Sequence, residues 1–134
     1  MVRVKGSSRL RLKLRQQLQV IEVAAGISLG RSQMLQGSLY ERRCRCGRPR
    51  CRCAQGRLHS SLALAVGPAR SRRIATVSRM DAETVRSLTL SYRQFRDARA
   101  EMVRTFQALM RTFDELGRLR RVSVQELRPF NRIG

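Results

Sequence analysis

Apolar residues recur along this chain with three different spacings, and each predicts a different element. From Ser8 onward Leu10, Leu12 and Leu14 alternate with basic residues, which alone reads as a strand. Leu10, Leu14, Leu18, Ile21 and Ala25 nevertheless share one face at helical spacing. The longer pattern predicts a helix from about 8 to 25, stopped by Gly26, behind a loose basic arm at 1–7. A short second helix is expected around 31–35.

The middle of the chain is patterned for strands. Gly37-Ser38-Leu39-Tyr40 predicts a short one. Ser61-Leu62-Ala63-Leu64-Ala65-Val66 and Arg72-Arg73-Ile74-Ala75-Thr76-Val77 predict an antiparallel hairpin around the turn Gly67-Pro68-Ala69-Arg70-Ser71.

The third spacing is the longest. Val85, Leu88, Tyr92, Phe95, Arg99, Met102, Phe106, Leu109, Phe113 and Leu116 follow one another at steps of 3 and 4. These are heptads with apolar a and d positions, interrupted only by Arg99. One helix of about 40 residues, about 60 Å long, is predicted. Asp81 and Glu83 favour its start, Gly117 marks an end or a bend, and no proline intervenes before Pro129. Leu14, Leu18 and Ile21 are expected to cover part of the stripe. Phe95, Met102, Phe106, Leu109 and Phe113 are expected to meet a protein partner or a second copy. Arg99 at an a position suits an acid on that partner.

Composition changes the picture in two ways. The 134 residues include four Phe, two Tyr and no Trp, so one domain with a small core is expected. Such a core needs a staple from metal, partner or oligomer. The net charge is +20, carried mostly by arginine. Arginine excess partly follows GC-rich coding, but a chain this basic repels itself unless it meets a polyanion. The charge is concentrated: residues 1–80 hold eighteen Lys/Arg against Glu22 and Glu41, whereas 81–120 hold eight Arg against six acids. One half is thus suited to phosphate and the other to packing. The parts read as 1–36 basic arm and helix, 37–80 knuckle and hairpin, 81–120 long helix and 121–134 basic tail.

No run approaches the ~20 apolar residues of a membrane span, and no secretory h-region is present. A cytoplasmic, bacterial, nucleoid-associated protein without a membrane role is expected. The acid-free, Arg- and Leu-rich start also has the look of a mitochondrial presequence, the alternative address.

The chemistry lies in Arg42-Arg43-Cys44-Arg45-Cys46-Gly47-Arg48-Pro49-Arg50-Cys51-Arg52-Cys53, which holds all four cysteines. Thiolates suit Zn²⁺, and the arginines between them suit phosphate. A structural zinc site can be drawn from Cys44, Cys46, Cys51 and Cys53, or from Cys46, Cys51, Cys53 and the single histidine, His59. Metal-free cysteines and a redox or disulfide role are the rival readings. Seven arginines and no acid occur from 42 to 57. Arg42, Arg43, Arg45, Arg48, Arg50, Arg52 and Arg57, with Arg70, Arg72 and Arg73 of the hairpin, are the candidate nucleic-acid contacts. No aromatic stacking platform or helix-turn-helix is evident, so phosphate rather than base is the expected target. An enzyme is not expected. One histidine and scattered acids make no catalytic constellation, and a closed knuckle leaves zinc no open position.

The same segment resembles a bacterial domain family of unknown function, found in small basic proteins of mobile-element and phage-like contexts. The family pattern is a Gly-Ser-Leu lead, a basic pair, then C-G-[KR]-x-x-C-x-C-A-x-G-x-x-H. It is matched by Gly37, Ser38, Leu39, Arg42, Arg43, Cys46, Gly47, Arg48, Cys51, Cys53, Ala54, Gly56 and His59. A hairpin and a long basic helix follow, with Tyr92, Arg93, Phe95 and Arg96 at the helix positions. The resemblance covers roughly 37–115. It implies that Cys46, Cys51, Cys53 and His59 form the site, with Cys44 an extra cysteine. The chain departs from it where Ser60 and Ser61 replace Gly-Pro and where 62–66 replaces an aromatic strand.

The expected fold is α+β: an N-terminal helix, a zinc knuckle with a small β-hairpin, and a long coiled-coil-like C-terminal helix. The expected function is a non-enzymatic, zinc-stabilised, arginine-rich nucleic-acid-binding accessory subunit of a mobile-element or nucleoprotein machine. It would contact the phosphate backbone, with DNA favoured over RNA and no small-molecule substrate. A structural ribonucleoprotein component and a coiled-coil adaptor are the alternatives.

Overall fold

The computed structural model describes residues 6–127. The tail from 128 and the arm at 1–5 lie outside the described residues. The elements are α1 (Ser7–Ser28), β1 (Gly37–Cys44), β2 (His59–Val66), β3 (Arg73–Val77) and α2 (Ala82–Arg120). Single turns of 3₁₀ helix occupy Arg52–Gln55, Ala69–Ser71 and Val124–Glu126. The expected α+β order is therefore present. Among the described residues no helix is long and apolar enough to cross a membrane. Two compact units are formed: residues 30–97, and residues 6–29 with 98–127.

The first unit is built on a three-stranded antiparallel sheet in the order β1-β2-β3. β2 is central, and Ala63, Leu64 and Ala65 are buried in succession. A continuous apolar run is what a strand covered on both faces requires. Gly37 pairs with Val66, and a Cβ at Gly37 would lie 2.9 Å from the Ala65 carbonyl oxygen. Only glycine fits there.

Three expectations for this unit are corrected. β1 runs to Cys44 rather than stopping near Tyr40, and β2 starts at His59 rather than Ser61. The polar stretch Glu41-Arg42-Arg43 has no strand pattern of its own. The ladder with β2 imposes one, and a Ser60 hydroxyl donating to Glu41 reinforces it. The short helix around 31–35 does not form. The Leu35 N–H instead donates to the Leu88 carbonyl of α2 at 3.1 Å. An isolated turn or two of helix is too short to offset its nucleation cost against that tertiary bond.

In the second unit α1 continues through Gly26 to Ser28. Glycine inside a helix costs about 1 kcal/mol relative to alanine, which a helix of this length tolerates. The least exposed positions of α1 are Ser7, Leu10, Leu14, Gln17, Ile21, Ala24 and Ser28, at steps of 3 and 4, with Ala25 beside them. On α2 from 98 onward the buried positions are Ala98, Thr105, Leu109, Thr112 and Leu116, with Glu101, Met102 and Ala108 half-buried. A Cβ on Gly6 would lie 3.9 Å from Leu119 Cδ1, so α1 starts beside the end of α2. The buried rows match in length: Ser7 to Ala24 spans about 26 Å and Leu116 to Ala98 about 27 Å at 1.5 Å per residue. Two hydroxyls on these rows bond within their own helix, Thr112 donating to the Ala108 carbonyl and Ser28 to the Ala24 carbonyl.

The apolar stripe expected on α2 is thus rotated at every second position. Met102, Leu109 and Leu116 face inward as expected. Arg99, Phe106 and Phe113 do not; Ala98, Thr105 and Thr112 replace them. A small residue every seven positions narrows the helix on that side and permits a close neighbour, whereas a phenylalanine there would hold it off. Phe106 and Phe113 are more than half exposed. On α1, Leu18 is 51% exposed and Gln17 takes its inward place. The Gln17 Oε1 is buried with no hydrogen-bond partner.

This register is testable at two adjacent residues. Gln17→Leu removes a buried, unpaired carbonyl and is expected to raise thermal stability by about 1 kcal/mol. Leu18→Ala is expected to change it by less than about 0.5 kcal/mol. Denaturant melts showing the reverse order would place Leu18, not Gln17, in the packed stripe.

Candidate metal centre

The cysteine run forms the connection between β1 and β2, whose pairing ends at Cys44 opposite His59. Three local features fold it. Gly47 takes φ +77, a value that favours glycine, and turns the chain after Cys46. The Cys51 N–H then donates to the Arg48 carbonyl at 3.2 Å, closing a turn around Pro49. Cys51 opens the 3₁₀ turn Arg52–Gln55, which carries Cys53 inward, and Gly56 ends it at φ +103. The chain then enters β2 at His59.

As a result the ligand atoms of Cys46, Cys51, Cys53 and His59 all lie within 4.8 Å of one another. Cys51 Sγ is 3.0 Å from His59 Nε2, and the sulfurs of Cys46 and Cys53 are 3.4 Å apart. All four cysteines are free thiols. A tetrahedral Zn²⁺ with Zn–S distances of about 2.3 Å would set its sulfurs about 3.8 Å apart. The four side chains therefore fit a tetrahedral metal ion in both donor type and spacing. Cys53 is 1% exposed, the largest fully buried side chain among the described residues. Cys44 stands across from His59 in the ladder but outside the group of four.

The local field already favours a thiolate. The Cys46 backbone N–H points at Cys53 Sγ at 3.4 Å and draws that thiol from its ordinary 9.0 down to about 7. The Cys46 thiol is moved upward: the Arg48 backbone N–H works against this, but sharing with the Cys53 sulfur, burial and the neighbouring Cys51 outweigh it. The lowered Cys53 thiol lies closer to the thiolate, the form that ligates a cation.

The ten candidate arginines are all exposed, but the sheet divides them. Arg42, Arg43, Arg45, Arg48, Arg50, Arg52 and Arg57 surround the knuckle. Arg70, Arg72 and Arg73 lie at the other end of β2, about 23 Å away over seven residue steps. Arg72 there lines a cavity with Arg93 and Arg96 of α2. Nothing in the linear pattern marks these two as companions of Arg72, since only tertiary packing joins them.

If the four residues form one site, purified protein should carry about one Zn²⁺ per chain, the ion this donor set suits. Native mass spectrometry is expected to show it lost in Cys51→Ser and retained in Cys44→Ser. Affinity should fall as pH is lowered, because protons compete for the thiolates and imidazole. Loss of metal in Cys44→Ser with retention in His59→Ala would instead select the four cysteines.

No protein-family model, no curated protein and no solved structure matches this chain.

Proposed function

We propose that this chain is a non-catalytic nucleic-acid-binding protein in which Zn²⁺, held by Cys46, Cys51, Cys53 and His59, fixes an arginine-rich loop against the phosphate backbone. The charge of that loop carries the reading. Its seven arginines from Arg42 to Arg57 are exposed, and among the described residues none has an ion-pair partner. Glu41, the nearest acid in sequence, accepts a hydrogen bond from Ser60 instead. Like charges crowded on a short loop repel one another, and a polyanion relieves that repulsion while releasing its own counterions.

The metal would supply rigidity. Four protein ligands complete the tetrahedron that structural zinc prefers, leaving no position for a water to be activated. The chain's own contribution is geometric. Arg45, Arg48, Arg50 and Arg52 alternate with the ligands or flank them, so fixing the thiols fixes the backbone from which the guanidiniums project. Guanidinium forks bind phosphate oxygens in pairs, which positions a protein on nucleic acid without reading sequence. Duplex DNA is the favoured target and an accessory place in a nucleoprotein machine the favoured setting. Both extend the resemblance drawn from the cysteine motif.

The test is a salt series with duplex DNA. Arg48, Arg50 and Arg52 changed together to Gln should weaken binding to all sequences alike. The slope of log K against log salt should become shallower by up to about 2.7, near 0.9 for each phosphate that an arginine no longer neutralises. An unchanged slope removes the loop from the interface. Tighter binding to structured RNA than to duplex DNA would favour a ribonucleoprotein component.

A further inference from the structure

We infer that the cavity between the start of β1 and the first half of α2 is a binding site for a single phosphate group, separate from the knuckle. The cavity measures about 200 Å³ and is lined by Gly37, Ser38, Arg72, Tyr92, Arg93 and Arg96, among others. All of its lining belongs to the unit of residues 30–97.

Its construction is specific. Tyr92, Arg93 and Arg96 recur at steps of one and three, so α2 presents them along one side. The facing wall at Gly37 is bare backbone, since a Cβ there would collide with the Ala65 carbonyl oxygen and Leu64 Cδ1, each 2.9 Å away. Arg72 enters from the β2–β3 turn. Gly67 bends that turn at φ +95, and the Ser71 N–H closes it on the Pro68 carbonyl at 3.0 Å. The sheet end and the helix are tied by the Leu35 N–H on the Leu88 carbonyl, two residues before the strand begins at Gly37.

The chemistry selects an oxyanion. Three arginines are among the lining residues, and no acidic residue is. Among the described residues none of the three guanidiniums has an ion-pair or hydrogen-bond partner. Their mutual repulsion is relieved by an anion that accepts several hydrogen bonds at once. Phosphate oxygens match the guanidinium fork, and the Tyr92 and Ser38 hydroxyls add neutral donors. The volume lies below the ~300–1,000 Å³ typical of small-molecule pockets, so a phosphate group with a few waters fits and a whole nucleotide does not.

The source of the phosphate rests on the proposed function, under which it belongs to a nucleic-acid backbone; free phosphate offers the same chemistry. The experiment separates the two. Full-length protein is titrated with inorganic phosphate at constant ionic strength while backbone amide resonances are followed, and the salt slope for duplex DNA is measured in parallel. Wild type should show saturable shifts at Gly37, Ser38 and Gly67. Arg93→Gln with Arg96→Gln should weaken phosphate binding at least tenfold, with resonances outside the cavity unmoved. Arg99→Gln, an exposed arginine farther along α2, should leave it unchanged. In the double variant the DNA slope should become shallower by about 0.9 for each backbone phosphate released from the site.

Shifts that are absent, or that persist equally in the double variant, overturn the site. Phosphate binding abolished with the DNA slope intact supports the site and assigns it to free phosphate. Phosphate binding in a wild type that binds no DNA supports the site and overturns the nucleic-acid reading alone.

Discussion

Three sulfurs and one imidazole nitrogen drawn within 4.8 Å of one another are the constraint on which the sheet-bearing unit depends. The apolar core there is small: Ala63, Leu64, Ala65, Ala82 and Cys53 are its buried residues. Alanines bury little area, and at about 25 cal/mol per Å² they contribute little to holding a charged loop in place. The loop between β1 and β2 cannot be ordered by its own side chains, which are mostly arginine. It is ordered by the turns at Gly47 and Gly56 and by the convergence of its ligands on Cys53. In the proposed reading the cation takes the place of a core, as it does in small domains that bury too little apolar surface.

The division of positive charge follows from that architecture. β2 carries His59 at one end and leads into the β2–β3 turn at the other, so a single eight-residue strand separates two basic regions. The knuckle region is open, with its guanidiniums spread around a loop. In the other region Arg72 lines a cavity together with Arg93 and Arg96 of α2. Under the proposed function the first suits an extended backbone and the second a single phosphate. About 23 Å of strand lies between them, roughly seven steps along one strand of duplex at 3.4 Å each.

Much of this is legible in the chain, and what is not has physical causes. Both helices announce themselves because their periodicity persists over many turns. The cysteine cluster is legible because all four thiols fall within ten positions. The residues alone leave Cys44 or His59 open as the fourth member, and only the resemblance names the four that the structure brings within 4.8 Å of one another. The helix register is not legible: Phe106 and Phe113 fit an apolar stripe better than Thr105 and Thr112, and only Arg99 spoils it. Hydrophobicity favours the phenylalanines, while close helix approach favours the small residues, and only packing decides. β1 reads short in the sequence because Glu41-Arg42-Arg43 is strand by pairing rather than by pattern. The resemblance names Gly37, Ser38, Tyr92, Arg93 and Arg96, but nothing in the chain joins them to Arg72, and only folding brings them to one cavity.

Under the proposed function, one metal ion bound by three thiolates and an imidazole organises the knuckle. X-ray absorption at the zinc edge of the purified full-length protein measures that directly. A first shell of three sulfurs at about 2.3 Å and one nitrogen at about 2.0–2.1 Å is expected. A shell of four sulfurs, which would require Cys44, or one made only of oxygen and nitrogen, would contradict it.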